Sequence, residues 1–483
     1  MTRRPRSSRS PATLVLLKPP SEPWGAIDTD SFRFLQTQTG LSLTQIDPKQ
    51  VHATLGRHQL ADGYSFVLDL ERSHGSWLVD GVTGKEYLDM FTCFASWPVG
   101  YNHPMMQEEA FSKKLLVAAE NNPANSDLYT GMMAEFVDAF ASKVTPDGYD
   151  HHFWVAGGAL AVENAMKAAF DWKARKLGLS VGGEEPDLVV LHFKDAFHGR
   201  SGYTMTVTNT DPNKVALFPK FCWPRVSNPY CEFDLDGNIS NDVAAAEAAT
   251  MAEIDLAFEQ FENRIACILI EPMQGEGGDR HFRPEFLKEL RRVADEREAL
   301  LIFDEVQTGF FGSGKAWLWE HKGVAPDIVS FSKKSQVGGL YANSRIDEVE
   351  DNVFAKSSRI NSTWGGNLVD MVRCHRFIDI IEEESLADNI HARGEQLLQG
   401  LRSIAKGTGA FHDVRGIGSL IAFTMETGEL RDKAVAAFQE RGVLALTSGE
   451  NSVRFRMPLV ITAEEVDGAL ERINDALPIV AGA

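Results

Sequence analysis

Short apolar runs recur through the middle of the chain, and each ends in a polar residue. Residues 188–193 read Leu-Val-Val-Leu-His-Phe before Lys194 and His198, and 265–270 are apolar before Glu271. Ala299-Leu300-Leu301-Ile302-Phe303 stops at Asp304, and Ile328-Val329-Ser330-Phe331-Ser332 stops at Lys333. Unbroken apolar runs separated by amphipathic stretches predict buried strands alternating with helices, hence an α/β layer with a mainly parallel sheet from about residue 104 to 373. Upstream, 66–89 reads as short strands joined by turns at Ser73-His74-Gly75 and Val82-Thr83-Gly84. Downstream, helical patterns over 386–405 and near 463–475 flank a Gly-rich strand passage at 413–423, which predicts a smaller α+β domain. The Pro/Asn/Asp-rich stretch 209–254, ending in an alanine-rich helix over 243–252, reads as an insertion able to shape a substrate mouth. The expected division is an N-terminal extension over 1–45, a first segment of the small domain over 46–107, a large domain over 108–375 and the rest of the small domain over 376–483.

Ligands of open α/β sheets gather at the carboxyl ends of strands. Several strand ends carrying potential cofactor or substrate groups therefore predict one built site. A buried carboxylate, Asp304, and a buried amine at Lys333 or Lys334 suit a cofactor that needs a protonated ring nitrogen and a Schiff-base lysine, namely pyridoxal phosphate. In an extended segment neighbouring side chains point to opposite faces, so only one of the two lysines can enter the site. Gln307 lies close enough to Asp304 to reach the ring oxygen. Gly157-Gly158-Ala159, after a strand at 152–155 and opening a helix through Glu163 and Lys167, lets backbone N–H groups approach a phosphate. Phe197 offers a ring to stack on a planar cofactor, and Arg200 offers a cation for a carboxylate.

Composition narrows the classes. The 483 residues carry a formal net charge of −20, which disfavours nucleic acid, and no apolar run approaches the roughly 20 residues of a membrane span. Cys93, Cys222, Cys231, Cys267 and Cys374 are scattered without Cys-x-x-Cys spacing, which predicts reduced thiols, no metal site and a cytoplasmic protein. Arg3, Arg4, Arg6, Arg9 and Lys18 imitate a transit peptide, but Pro5, Pro11, Pro19 and Pro20 spoil the amphipathic helix, so a tail or an over-long start is expected.

Three stretches are more specific. Glu271-Pro-Met-Gln-Gly-Glu276-Gly-Gly, Ile302-Phe-Asp304-Glu-Val-Gln307-Thr-Gly309 and Asp327-Ile-Val-Ser-Phe-Ser-Lys333 closely resemble the signatures of class III pyridoxal-phosphate aminotransferases, over most of the chain from about residue 50. Phe197-His-Gly-Arg-Ser-Gly-Tyr203, Asp279-Arg-His-Phe-Arg-Pro-Glu285, Ser332-Lys-Lys-Ser-Gln-Val-Gly338 and Asn361-Ser-Thr-Trp-Gly-Gly-Asn367 resemble the branch that takes the ε-amine of L-lysine. The resemblance implies the fold type I architecture, with a seven-stranded sheet in its large domain, and transfer from L-lysine to 2-oxoglutarate, giving 2-aminoadipate 6-semialdehyde. It assigns Lys333 as the Schiff-base lysine, Asp304 as partner of the pyridine nitrogen, Gln307 as neighbour of the ring oxygen, Phe197 as the stacking ring, and Gly158 and Ala159 as the phosphate loop. Thr363 would hold the phosphate from a second subunit, implying a homodimer with shared sites. Arg200 and Asn361 would serve the substrate, Arg200 holding the α-carboxylate of lysine. Glu276 and Arg454 resemble a switch pair in which Glu276 neutralises Arg454 for one substrate and swings aside for the other.

Two departures stand out. The family's phosphate loop carries hydroxyls where this chain has Gly157-Gly158-Ala159, and Phe311-Gly312-Ser313-Gly314 replaces a Gly-Arg-Thr-Gly. Gly309-Phe-Phe-Gly-Ser-Gly314-Lys315-Ala316 nearly spells a nucleotide-binding P-loop, with Ala316 where the magnesium hydroxyl belongs. A nucleotide hydrolase, a non-catalytic relative, an aminotransferase acting on ornithine, 4-aminobutyrate or a diamine, and a mutase or racemase of the same fold are the alternatives.

Overall fold

In the computed structural model residues 44–481 are described, so the basic N-terminal stretch and nearly all of the expected extension over 1–45 lie outside the described residues. Two short strands come first, β1 (Trp77–Val79) and β2 (Glu86–Asp89). The central strands follow: β3 (His151–Val155), β4 (Val189–Phe193), β5 (Arg225–Val226), β6 (Ile265–Ile270), β7 (Met273–Gln274), β8 (Arg280–His281), β9 (Leu300–Asp304), β10 (Ile328–Phe331) and β11 (Gly338–Ala342). Five more close the chain: β12 (His412–Ile417), β13 (Leu420–Thr424), β14 (Val443–Leu444), β15 (Leu446–Ser448) and β16 (Ser452–Arg456).

Seven of these form one sheet in the order β3-β11-β10-β9-β6-β4-β5. The pairs from β10 to β5 are parallel, and β11 is antiparallel to both of its neighbours. The apolar runs are continuous because both faces of this sheet are covered. Leu191, Ile268, Leu301 and Phe303 point to one face, where they meet Phe286, Leu287 and Leu290 of the helix Pro284–Glu296. Val190, Cys267, Leu269, Leu300 and Ile302 alternate to the other, against Val162, Ala165, Met166 and Ala169 of the helix Gly158–Lys176. Period-two alternation thus splits one run of residues into two cores.

Register brings the polar ends together. Ser330 lies opposite Asp304 and Phe303 opposite Ile270, so Lys333, Asp304 and Glu271 leave the sheet along one edge.

A second sheet, β12-β13-β16-β15, is antiparallel throughout. Along β16, Val453 and Phe455 enter an apolar core while Arg454 and Arg456 turn to the opposite face, opposite Ala422 and Leu420 of β13. β1 and β2 join β14 in a third sheet, so the segment at 77–89 pairs with the C-terminal region. Helices extend past their expected ends: the alanine-rich one runs Val243–Phe261, because Ile254, Ala257 and Phe258 continue its buried stripe, and another runs Leu386–Thr408 until Gly409 turns left-handed. No helix among the described residues is long and apolar enough to cross a membrane.

Candidate active site

Asp304 closes β9 with its side chain buried. Oδ1 accepts the Val306 N–H at 2.9 Å, and Oδ2 faces His198 Nδ1 at 2.7 Å, so an ionised Asp304 requires the imidazole proton on Nδ1. His198 is fixed in turn: its N–H donates to Thr208 Oγ1 at 2.8 Å, whose hydroxyl donates to the Gly199 carbonyl at 2.7 Å. Glu271, just past β6, takes the Phe197 N–H on Oε1 and the Gly275 N–H on Oε2, both at 3.0 Å, tying two strand-end loops together. Burial pushes the Glu271 carboxyl up to about 7, with the nearby Asp304 charge adding to the rise against the pull of His198.

The two lysines part. Lys333 and Lys334 lie in a 3-10 turn, Lys333–Ser335, rather than in extended backbone. Lys333 has φ 55°, a left-handed conformation that costs a β-carbon-bearing residue roughly 1–2 kcal/mol and that aims its side chain into a cavity. Its Nζ has no hydrogen-bond or ion-pair partner among the described residues. Burial, together with Arg454 and Arg456, lowers its pKa to about 8. Lys334 is packed away: Nζ donates to the Gln307 carbonyl at 2.6 Å and the Gly309 carbonyl at 3.1 Å. Burial pulls it down to about 7.

The cavity is about 220 Å³ and is bounded by Gly158, Ala159, Phe197, Asp304, Gln307 and Lys333, with Glu276 at its margin. Gly157 precedes the helix Gly158–Lys176 with φ 98° and supplies no side-chain cap, leaving the first helical N–H groups for an anion. A β-carbon on Gly158 would stand 2.6 Å from Val306 Cγ1, so any larger residue here must push the Val306 side chain aside. An anion seat, a ring, a buried carboxylate held by His198 and an amine without a hydrogen-bond partner among the described residues surround one cavity and fit pyridoxal phosphate.

At the margin, Arg454 Nη2 donates to Glu276 Oε2 at 2.7 Å, and Lys214, from the short helix Pro212–Val215, donates to Oε1. Burial alone would raise the Glu276 carboxyl, but Arg454 and Lys214 outweigh it and hold the group below the usual range. Gln307 Oε1 accepts from Arg454 Nη1 at 3.2 Å and Arg456 Nη2 at 2.8 Å, which leaves its amide N–H groups for the cavity side. Arg456 is locked by a fork to Asp279, at 2.6 and 2.7 Å, with both side chains 1% exposed.

Residues 60–477 match the family model described as Aminotransferase class-III. The chain belongs to the class-III aminotransferases. The L-lysine-epsilon aminotransferase of Mycobacterium tuberculosis (strain ATCC 25618 / H37Rv) is 49% identical over 437 residues, covering 90% of this chain and 96% of that protein. The protein of the same name from Amycolatopsis lactamdurans is 46% identical over 434 residues, covering 89% and 96%. A solved structure of lysine aminotransferase from M. tuberculosis superposes with a TM-score of 0.86 at 48% identity, covering 90% of this chain and 100% of that one. This chain is accordingly a pyridoxal-phosphate-dependent transaminase of the fold its sheet order displays.

Not every expected residue of this aminotransferase meets the cavity. Arg200, Asn361 and Thr363 are exposed and none of them lines it, while Arg454 is buried behind Glu276 and Gln307 and is not part of the lining. The P-loop alternative falls: Gly314-Lys315 opens no long helix, Lys315 is exposed, and only the four-residue helix Trp319–Lys322 follows. His198, Glu271, Lys214, Arg456 and Asp279 carry contacts that the sequence did not assign. Arg456 was findable, since it repeats Arg454 at strand spacing. Lys214 gave no signal within its irregular stretch.

Proposed function

We propose that this aminotransferase moves the ε-amino group of L-lysine to 2-oxoglutarate, forming 2-aminoadipate 6-semialdehyde and L-glutamate. The observation that carries the reading is Arg454 masked by Glu276 at the cavity margin, a buried cation that one acid can cover or release. With an amine donor, a methylene chain faces this wall, and an unmasked Arg454 there would cost about 3–5 kcal/mol. With 2-oxoglutarate, Arg454 takes the carboxylate beside the keto carbon and Glu276 moves aside. Matches at 49% and 46% identity to two L-lysine-epsilon aminotransferases, over 90% and 89% of the chain, support lysine as donor.

Bound pyridoxal phosphate supplies an aldehyde carbon that accepts amines and a ring that disperses negative charge. Asp304, oriented by His198, holds a proton at the ring nitrogen. Gly158 and Ala159 offer backbone N–H groups to the phosphate. Phe197, fixed through Glu271, covers the ring and excludes water. Lys333, whose lowered pKa of about 8 leaves roughly half of the amine neutral at pH 8, would carry the proton lost by the donor carbon to the cofactor carbon that received the amine. Gln307 turns its amide N–H groups to the ring oxygen.

The same reading makes the enzyme a homodimer with shared sites and small-domain segments at 46–107 and 376–483 flanking 108–375. Thr363 and Asn361 sit on an exposed loop beside Trp364, which is 45% exposed, as expected of groups that serve a neighbouring subunit. Arg200 is assigned to the α-carboxylate of the donor. An amine panel with 2-oxoglutarate as acceptor tests the donor: L-lysine should give the highest kcat/KM, Arg200→Ala should raise its KM, and a preference for ornithine or 4-aminobutyrate would overturn the assignment.

A further inference from the structure

Glu276 stands between two cations of different character. Arg454 is 2% exposed and also donates to Gln307, whereas Lys214 is 29% exposed and comes from the short helix Pro212–Val215. The Lys214 ammonium lies 5.7 Å from the centroid of the Phe197 ring. The backbone around Glu276 is pinned: Gly275 N–H donates to Glu271 Oε2, Ser448 Oγ donates to the Gly275 carbonyl at 2.7 Å, and Gly449 N–H donates to the Glu276 carbonyl at 2.9 Å. Movement of Glu276 is therefore confined to its side chain.

We propose that Lys214 is a positioning residue for substrate exchange, the seat that keeps Glu276 when the carboxylate of a dicarboxylic keto acid occupies Arg454. The inference rests on the two-substrate reading of the pocket. A carboxylate leaving Arg454 for a partly desolvated wall would lose its partner. Oε1 already faces Lys214, so Glu276 can release Arg454 while retaining one ion pair. Positive charge at this mouth also draws a doubly charged acid toward the cavity. Lys214 thus favours the uncovered form of Arg454 and acts on the acceptor rather than on the amine donor.

The test uses Lys214→Met and Lys214→Arg holoenzymes in separate half-reactions followed by cofactor absorbance. Wild type must first react with L-glutamate alone; if it does not, the two-substrate reading fails before the variants are compared. Lys214→Met should raise the half-saturating concentrations of L-glutamate and 2-oxoglutarate about three- to fivefold, as expected for a partly exposed ion-pair partner, and change the amine-donor arm less than about twofold. Lys214→Arg should recover the acceptor arm. Calorimetric affinity for glutarate, a dicarboxylate that cannot react, should fall by the same factor in Lys214→Met. Equal losses on both arms, unchanged acceptor kinetics, or failure of the arginine variant to recover them would overturn the proposal.

Discussion

His198 Nδ1 and Asp304 Oδ2 meet at 2.7 Å, both side chains buried, so the carboxylate at the cavity floor is oriented by a residue from another loop. Asp304→Asn keeps the size and removes the charge, and kcat should fall about 10²–10³-fold, the span for losing one preorganised electrostatic group. His198→Leu leaves Asp304 with only the Val306 N–H and should be impaired less than Asp304→Asn. His198→Gln, which restores a donor, should recover part of the loss. Single-turnover rates measure the order, and a His198→Leu enzyme equal to wild type would remove the orienting role.

Gly158 and Val306 are in steric opposition at the anion seat. Gly158→Ala brings a β-carbon to 2.6 Å from Val306 Cγ1, an overpacking that should cost about 1–3 kcal/mol and weaken cofactor affinity. Val306→Ala opens that space, so the double variant should bind cofactor better than Gly158→Ala alone. Titration of cofactor-free protein followed by absorbance checks the coupling.

Most of the fold could be read from the chain because both of its signals are local. Unbroken apolar runs mark the strands of the parallel sheet, and the polar residue that follows a run is Glu271, Asp304 or Lys333. The rest depends on pairing across the chain. His198 and Asp304 are 106 residues apart, and nothing local links them. Lys214 reaches Glu276 from an irregular stretch whose path no periodicity encodes. The helix Val243–Phe261 outran its expected end because acidic residues interrupt its composition without breaking the buried face of Ile254, Ala257 and Phe258.

Lys333 and Lys334 are adjacent amines with opposite surroundings. Lys333→Ala should abolish both turnover and the visible absorbance of bound cofactor, while Lys334→Met should keep that absorbance. A lowered pKa means more neutral amine near neutrality, so cofactor capture by the cofactor-free enzyme should accelerate between about pH 7 and 9 and then level off, whereas an ordinary lysine would still be gaining above pH 10. Lys334 binds its proton less well folded than unfolded, so its burden on stability is full below about pH 7 and lifts as pH rises toward 10.5. The melting temperature of wild type relative to Lys334→Met should therefore increase from pH 7 to 9.

Shared sites make a complementation test possible. Lys333→Ala and Thr363→Ala should each be inactive or nearly so as pure preparations. Random mixing of subunits makes half of the dimers hybrid, and each hybrid holds one site with neither substitution, so about a quarter of wild-type activity should return. Activity that stays at the level of the pure variants would place Thr363 in its own subunit's site or outside catalysis.

Glu276 and Arg454 set the final expectation, because removing the acid should act with opposite sign on the two substrates. In Glu276→Ala the buried guanidinium keeps only Gln307 as a side-chain partner and is open to any incoming carboxylate. L-glutamate should then react with a lower KM than in wild type. The amine donor must press its methylene chain against an uncovered charge, and its kcat/KM should fall by roughly 10²-fold, somewhat less than the full cost of an unpaired buried cation because water can enter the space left by the acid. Glu276→Gln, which fills that space without the charge, should lie between the two enzymes for the donor. Comparing the two half-reactions in each variant reads the sign directly: parallel losses on both arms would mean that Glu276 merely supports the wall, whereas opposed changes assign it to choosing the substrate.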